Sequence, residues 1–176
     1  MEGDDYTGLR SGELSTLKWD DVSGDTILVT RTQTRHKENG GAVFSVREST
    51  KGREGRRRIA IPPEAHVILG RIRAKNIQGE YIFMSDVTGN RMKADSFSKK
   101  LVRICRYIHI PVRRLHKIRK TYDSILLDAG VDDSIVTSQM GHTNLTTTID
   151  FYYRDRHTYE EKVRAISSVL SGSKHD

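Results

Sequence analysis

The spacing of apolar residues changes character near residue 62. Before it, the runs TILVT, VFSV and RRIAI are short, rich in β-branched residues and separated by Gly-rich connections, which predicts the strands of a small antiparallel sheet with a basic hairpin. Pro62 and Pro63 then open PPEAHVILGRIRAK, where Ala65, Ile68, Leu69 and Ile72 recur at helical spacing. After YIFMS and the turn TGN, helical patterns cover 96–107, 115–129, 132–140, 146–154 and 159–170. Gly130 and Gly141 stand where the second and third of these need a C-cap. Within 115–129, Ile118, Tyr122, Ile125, Leu126 and Ala129 share a face and are its expected core. Val163, Ile166, Val169 and Leu170 form a similar stripe near the C-terminus, and Trp19 reads as core. The pattern predicts an α+β fold, mostly helical, with its antiparallel sheet near the N-terminus.

Length and charge narrow this picture. A chain of 176 residues and 20.1 kDa suits one compact domain spanning 1–176. Thirty Lys and Arg against 23 Asp and Glu give a net charge of +7 and a pI near 9.6, a balance that favours polyanionic partners or anionic membrane surfaces. No window approaches the roughly 18 apolar residues of a membrane span, and MEGDDYTG has neither a basic nor an apolar leader region. The expectation is a cytoplasmic protein without a membrane partner. A single cysteine, Cys105, makes no internal disulfide and argues against a cysteine-based metal site. The positive charge is uneven. Between residues 96 and 122, Lys99, Lys100, Arg103, Arg106, Arg113, Arg114, Lys117, Arg119 and Lys120 occur without one carboxylate, and KGREGRRR forms a second cluster around Arg53 and Arg56.

Three short stretches carry the candidate chemistry. In RLHKIRKTYDS, His116 and Arg119 are three apart and share a helix face distinct from the apolar one. Upstream, TGLRSGELSTLKWDDV sets Arg10 at a turn before an amphipathic helix. Downstream, MGHTNLTTTIDFYYRD places His142 just after a helix-ending glycine, with Tyr152 ten residues further on. Taken in this order, TGLRSGEL with LKW, HKIRKT and GHTNLTTTIDFYY resemble the motifs of the tyrosine recombinases, the phage-integrase family, and specifically their C-terminal catalytic domain. The resemblance runs from Thr7 to about Glu161.

That resemblance implies site-specific breakage and rejoining of double-stranded DNA through a 3′ phosphotyrosine, in the service of a bacterial or phage mobile element. It implies assembly as a multimer on DNA, no metal or other cofactor, and no small-molecule substrate. Position by position, Arg10 matches the first arginine, Lys51 the hairpin lysine, His116 and Arg119 the HxxR pair, His142 the GH histidine and Tyr152 the nucleophile. Glu13 matches the acid that supports the first arginine. Tyr153 is the neighbouring alternative, and the family spacing favours Tyr152. Arg53, Arg56, Lys99, Lys100, Arg114 and Lys117 are the expected contacts to the DNA backbone, with Arg57 and Arg58 as further candidates for phosphate. Only MEGDDY precedes TGLR, so the family's N-terminal DNA-binding domains and the helix before the first arginine are expected to be missing, leaving apolar surface near Arg10. A catalytically idle DNA-binding fragment is the alternative reading. TGLRSGEL and GHTNLTTT argue against a type IB topoisomerase, and the lack of a compact carboxylate and histidine cluster argues against a two-metal nuclease.

The chemistry suits these residue types. Attack on a phosphodiester builds charge on two non-bridging oxygens, which planar arginine forks can stabilise with paired donors. A phenol with a pKa of about 10 needs a cationic pocket or a base before it attacks, which is the work expected of His116. The departing 5′ oxygen needs a proton, for which Lys51 on a loop is the candidate donor. His142 is expected to hydrogen-bond the scissile phosphate.

Overall fold

The computed structural model describes residues 7–38, 40–48, 56–75, 78–141, 159–160, 163–164 and 167. The chain divides into two compact units, Met1–Thr143 and Asn144–Asp176. The first begins with a single helical turn, α1 (Ser11–Leu14), and a 3-10 turn at Trp19–Asp21. Strands β1 (Val22–Ser23), β2 (Thr26–Val29), β3 (Arg31–Glu38), β4 (Gly41–Glu48) and β5 (Arg57–Ala60) follow. Four helices complete it: α2 (Pro63–Lys75), α3 (Ala94–Tyr107), α4 (Leu115–Asp128) and α5 (Asp133–Met140).

The α+β architecture is as the sequence predicts, but the sheet is not one sheet. β2 pairs antiparallel with β1 on one side and β5 on the other, while among the described residues β3 and β4 pair with each other alone, as a hairpin inserted between β2 and β5 in the sequence. Strand period 2 explains which side chains enter the core: Ile27 and Val29 point inward from β2, and Arg57 and Ile59 from β5. In the register, Ile27 stands opposite Ile59 and Val29 opposite Arg57. Ile27 and Ile59 join Leu9, Leu14, Leu17, Ile61, Ala65, Ile82 and Phe97 in the main core. Each such large aliphatic side chain contributes about 1.5–3 kcal/mol by leaving water. Phe83 meets Phe97 edge to face, with ring centroids 5.3 Å apart.

The helices follow their apolar spacing with one exception. Ala65 and Ile68 of α2 are buried with Leu69 and Ile72 packed beside them, and α3 buries Phe97, Leu101 and Cys105. In α4 the buried residues are Arg119 and Asp123, whereas Ile125, expected in the core, is 59% exposed and Ala129 is exposed as well. Ile118, Tyr122 and Leu126 are half-buried. The helix therefore presents a polar pair inward, because Arg119 finds two backbone acceptors there. Trp19 is also only half-buried, on the rim of the core, with Arg73 stacked 4.8 Å from its ring. An apolar recess lined by Thr7, Leu9, Leu14, Leu17, Leu69 and Phe83 opens beside the α1 turn.

In the second unit, residues 159, 160, 163, 164 and 167 are helical. Val163, expected in a buried stripe, is 48% exposed. Ile166, Val169 and Leu170 lie outside the described residues, as does the helix expected over 146–154. No helix among the described residues is long and apolar enough to cross a membrane.

Candidate active site

Arg10 occupies the N-cap of α1 in an extended conformation, and the geometry of that turn brings Glu13 back onto it. The Arg10 backbone N–H donates to Glu13 Oε2 at 2.9 Å, and its Nη1 donates to Glu13 Oε1 at 3.0 Å. An arginine offers no acceptor, so only the acidic half of a capping box exists here. The second fork nitrogen, Nη2, donates to the carbonyl of Gly141 at 3.0 Å, across 131 positions of sequence. Arg10 remains 46% exposed at its side chain while Glu13 is buried.

Glu13 also holds Arg57. The two groups form a fork-to-fork pair, Nη1 to Oε1 at 2.9 Å and Nη2 to Oε2 at 3.0 Å, with both side chains buried. Burial alone would raise the Glu13 pKa. The bonds and charges of Arg57 and Arg10 reverse that and hold it below its ordinary value of 4.5. Arg57 is therefore engaged inside the protein, which overturns its reading as a phosphate contact.

Arg119 enters the same locus from α4. Its Nη1 donates to the carbonyl of Gly8 and its Nη2 to that of Met140, fixing the guanidinium against both the TGLR loop and the end of α5. Burial, with Arg10 beside it, pulls its pKa down to about 10, still charged at neutral pH. Two glycines make the approach possible. Gly8 adopts φ +62°, and a β-carbon there would sit 2.7 Å from Met140 Sδ and 2.8 Å from the Tyr122 ring. Gly141 adopts φ +60° as the C-cap of α5, and a β-carbon there would meet the Arg57 guanidinium at 2.7 Å.

His116 lies exposed in the first turn of α4. Partial burial, then the positive charges of Lys120, Arg119, Lys117 and Arg10, lower its pKa from the ordinary 6.5 and leave the imidazole neutral at neutral pH. Asp123, one helical turn after Arg119, is buried with its Oδ1 unpartnered. Burial raises its pKa although Arg119 acts against the rise.

The structure thus gathers Arg10, Glu13 and Arg119, from positions far apart in sequence, with His116 near enough on α4 to be influenced by the charge of Arg10. Arg56 and Arg114 are exposed, and Arg114 is the N-cap of α4, next to Lys117 on its exposed first turn. Lys99, Lys100 and Arg103 line a separate recess on α3 that also contains the carboxylate of Asp86. Lys51, Arg53, His142, Tyr152 and Tyr153 lie outside the described residues. Sequence reasoning missed the structural parts played by Arg57, Asp123 and Gln139. The Gln139 side chain pairs with both backbone polar groups of Ala60, at 2.9 and 3.0 Å, and so ties α5 to β5. Only for Arg57 does the sequence hold a signal, its period-2 relation to Ile59 and Ile61. Among the described residues, no group of three His, Cys, Asp or Glu stands close enough to hold a metal ion.

Residues 5–158 match the model of the phage integrase family. A tyrosine recombinase XerC-like protein of Caldanaerobacter subterraneus subsp. tengcongensis is 27% identical over 167 residues, covering 83% of this chain and 42% of the relative. The ICEBs1 integrase of Bacillus subtilis is 26% identical over 175 residues, covering 93% and 45%. The chain thus spans less than half the length of these relatives. Among solved structures, the Tn1549 transposon integrase in complex with transposon right end DNA superimposes with a TM-score of 0.78 at 24% identity, covering 95% of this chain and 56% of that one. XerA recombinase gives 0.67 at 21% identity, covering 98% and 56%. These two structures bear on the fold.

Proposed function

The chain belongs to the phage integrase family, and from that premise we propose that it breaks and rejoins double-stranded DNA by transesterification through a 3′ phosphotyrosine. The observation that supports this best is the convergence of Arg10 and Arg119 on one locus beside Gly141, the residue just before His142. Arg10 offers a half-exposed planar fork, and Arg119 places two of its five N–H donors on carbonyls. The remaining donors are suited to the two non-bridging oxygens of a scissile phosphate.

In this reading the Tyr152 phenol attacks the phosphorus, the 5′ oxygen leaves with a proton from Lys51, and the phosphodiester becomes a phosphotyrosine ester. A neutral His116 accepts the phenol proton, and His142 hydrogen-bonds the phosphate. The ester retains the bond energy, so another 5′ hydroxyl can reverse the step without a nucleotide cofactor. Arg53, Arg56, Lys99, Lys100, Arg114 and Lys117 contact the DNA backbone, the chain acts as part of a multimer on DNA, and its place is the cytoplasm.

The test uses a randomised library of duplexes nicked beside each candidate phosphate, with covalent protein read on denaturing gels. The wild-type chain should yield adducts that persist in EDTA. Tyr152→Phe should abolish them with little change in binding, and Tyr153→Phe should not. Adducts lost only with Tyr153→Phe would put the nucleophile one residue on. A strict magnesium requirement would overturn the metal-free route, and tight binding without any adduct would favour the idle DNA-binding alternative.

A further inference from the structure

The contacts around Glu13 close into a ring. Arg57 holds both oxygens of Glu13, Glu13 Oε1 holds Arg10 Nη1, and Arg10 Nη2 holds the Gly141 carbonyl. The ring returns to Arg57 through its Nε, which donates to the Gln139 carbonyl at 3.2 Å, two residues before Gly141. The Arg57 side chain also fills the space a β-carbon at Gly141 would need. Each guanidinium nitrogen of Arg57 thus donates to a partner inside the protein. Arg57 sits at the start of β5, a strand paired with β2 and anchored in the core by Ile59 opposite Ile27.

We infer that Arg57 is a positioning residue for the arginine clamp: it fixes the Glu13 carboxylate that aims Arg10, and it holds residues 139–141 at the end of α5. Its consequence for cleavage rests on the strand-breakage reading above; the anchoring itself does not. Arg57 takes no phosphate. A planar fork is required, because the residue must hold a carboxylate with two parallel bonds while a third donor reaches a carbonyl on another element. A lysine ammonium cannot reproduce that geometry.

The experiment compares the full chain with Arg57→Met and Arg57→Lys by two readouts. The first is the single-turnover rate of adduct formation at saturating nicked DNA, alongside affinity for intact duplex. Displacing the clamp should lower the rate about a hundredfold for Arg57→Met and about tenfold for Arg57→Lys, with affinity within about twofold. The second is amide hydrogen exchange, in which protection at residues 139–141 should fall while that of β2 holds. Unchanged exchange at 139–141 in Arg57→Lys overturns the inference, as does a fall in affinity that matches the fall in rate, which would make Arg57 a DNA contact. If Arg57→Met does not fold, Arg57→Lys decides by the same criteria. If the wild-type chain forms no adduct while Arg57→Lys still loosens 139–141, the anchoring stands and the cleavage reading fails.

Discussion

The guanidinium of Arg57 lies buried in a fork-to-fork pair with Glu13, whereas Arg56 and Arg58 on either side of it are exposed. The same division separates Arg119, inside, from Lys117 two residues earlier on the surface. A run of positive residues is therefore two populations sorted by backbone geometry. On β5 the alternation of the strand sends Arg57 inward with Ile59, and on α4 the helical turn sends Arg119 inward with Asp123. Each buried guanidinium is anchored to fixed partners inside the protein, whereas an exposed positive charge acts mainly at long range, through the field it adds to the surface. Changes in the first should disturb stability and pH response, and changes in the second should disturb salt dependence.

Glu13→Ala should have the largest effect. It leaves Arg57 buried without its counter-charge, at a cost of about 3–5 kcal/mol in urea unfolding at pH 7. The sign with pH follows from the lowered Glu13 pKa: the wild-type advantage is present above the ordinary carboxylate range and is lost as pH falls through the depressed native value. The gap between wild type and variant should therefore close only in acid, below pH 4.5. A gap that stays constant down to pH 2 would mean that Glu13 acts through packing rather than charge.

Much of this arrangement was legible in the sequence. The strands TILV and RRIA and the helices after Pro63 follow from spacing, and Arg10, Glu13, His116 and Arg119 were picked out by their match to the family's motifs. Strand β4 was legible as VFSV, but its partner β3 was not, because RTQTRHKE carries almost no apolar alternation; β3 is held by pairing with β4. Nor was the inward face of α4, since the apolar stripe of Ile118, Tyr122 and Ile125 competes with the two carbonyls offered to Arg119, and the carbonyls win. Arg57 was hidden among its basic neighbours, and only its strand phase, shared with Ile59 and Ile61, separates it from them.

Asp123 sharpens the comparison from the opposite side, as a buried acid whose Oδ1 is unpartnered. Its raised pKa means the charged form carries a penalty in the native state, present at neutral pH and relieved as pH falls through the raised value. Asp123→Asn should gain up to about 1 kcal/mol at pH 7, and the gain should vanish in acid, read by the same urea titrations. A loss of stability at pH 7 would show that its attraction to Arg119 outweighs the burial cost.

The smallest effect on stability belongs to the surface. Replacing Lys99 and Lys100 together by glutamine should change unfolding free energy by less than about 0.5 kcal/mol. DNA affinity should nevertheless become less sensitive to salt, the log-log slope flattening by about 0.9 for each phosphate contact removed. An unchanged slope would leave the recess on α3 off the DNA path.

The ring around Glu13 also dictates an order of events in synthesis. Its contacts join residues 44, 82 and 131 positions apart, and the anchoring of Arg119 to Gly8 spans 111. Contacts so distant in sequence form only after long loops have closed. While the chain is still on the ribosome, Arg57 can find Glu13, but Arg57 meets the Gln139 carbonyl and Arg10 the Gly141 carbonyl only once the end of α5 has been added. A chain interrupted before that point would carry the cationic helices α3 and α4 without the contacts that hold Arg10 and Arg57 to the end of α5.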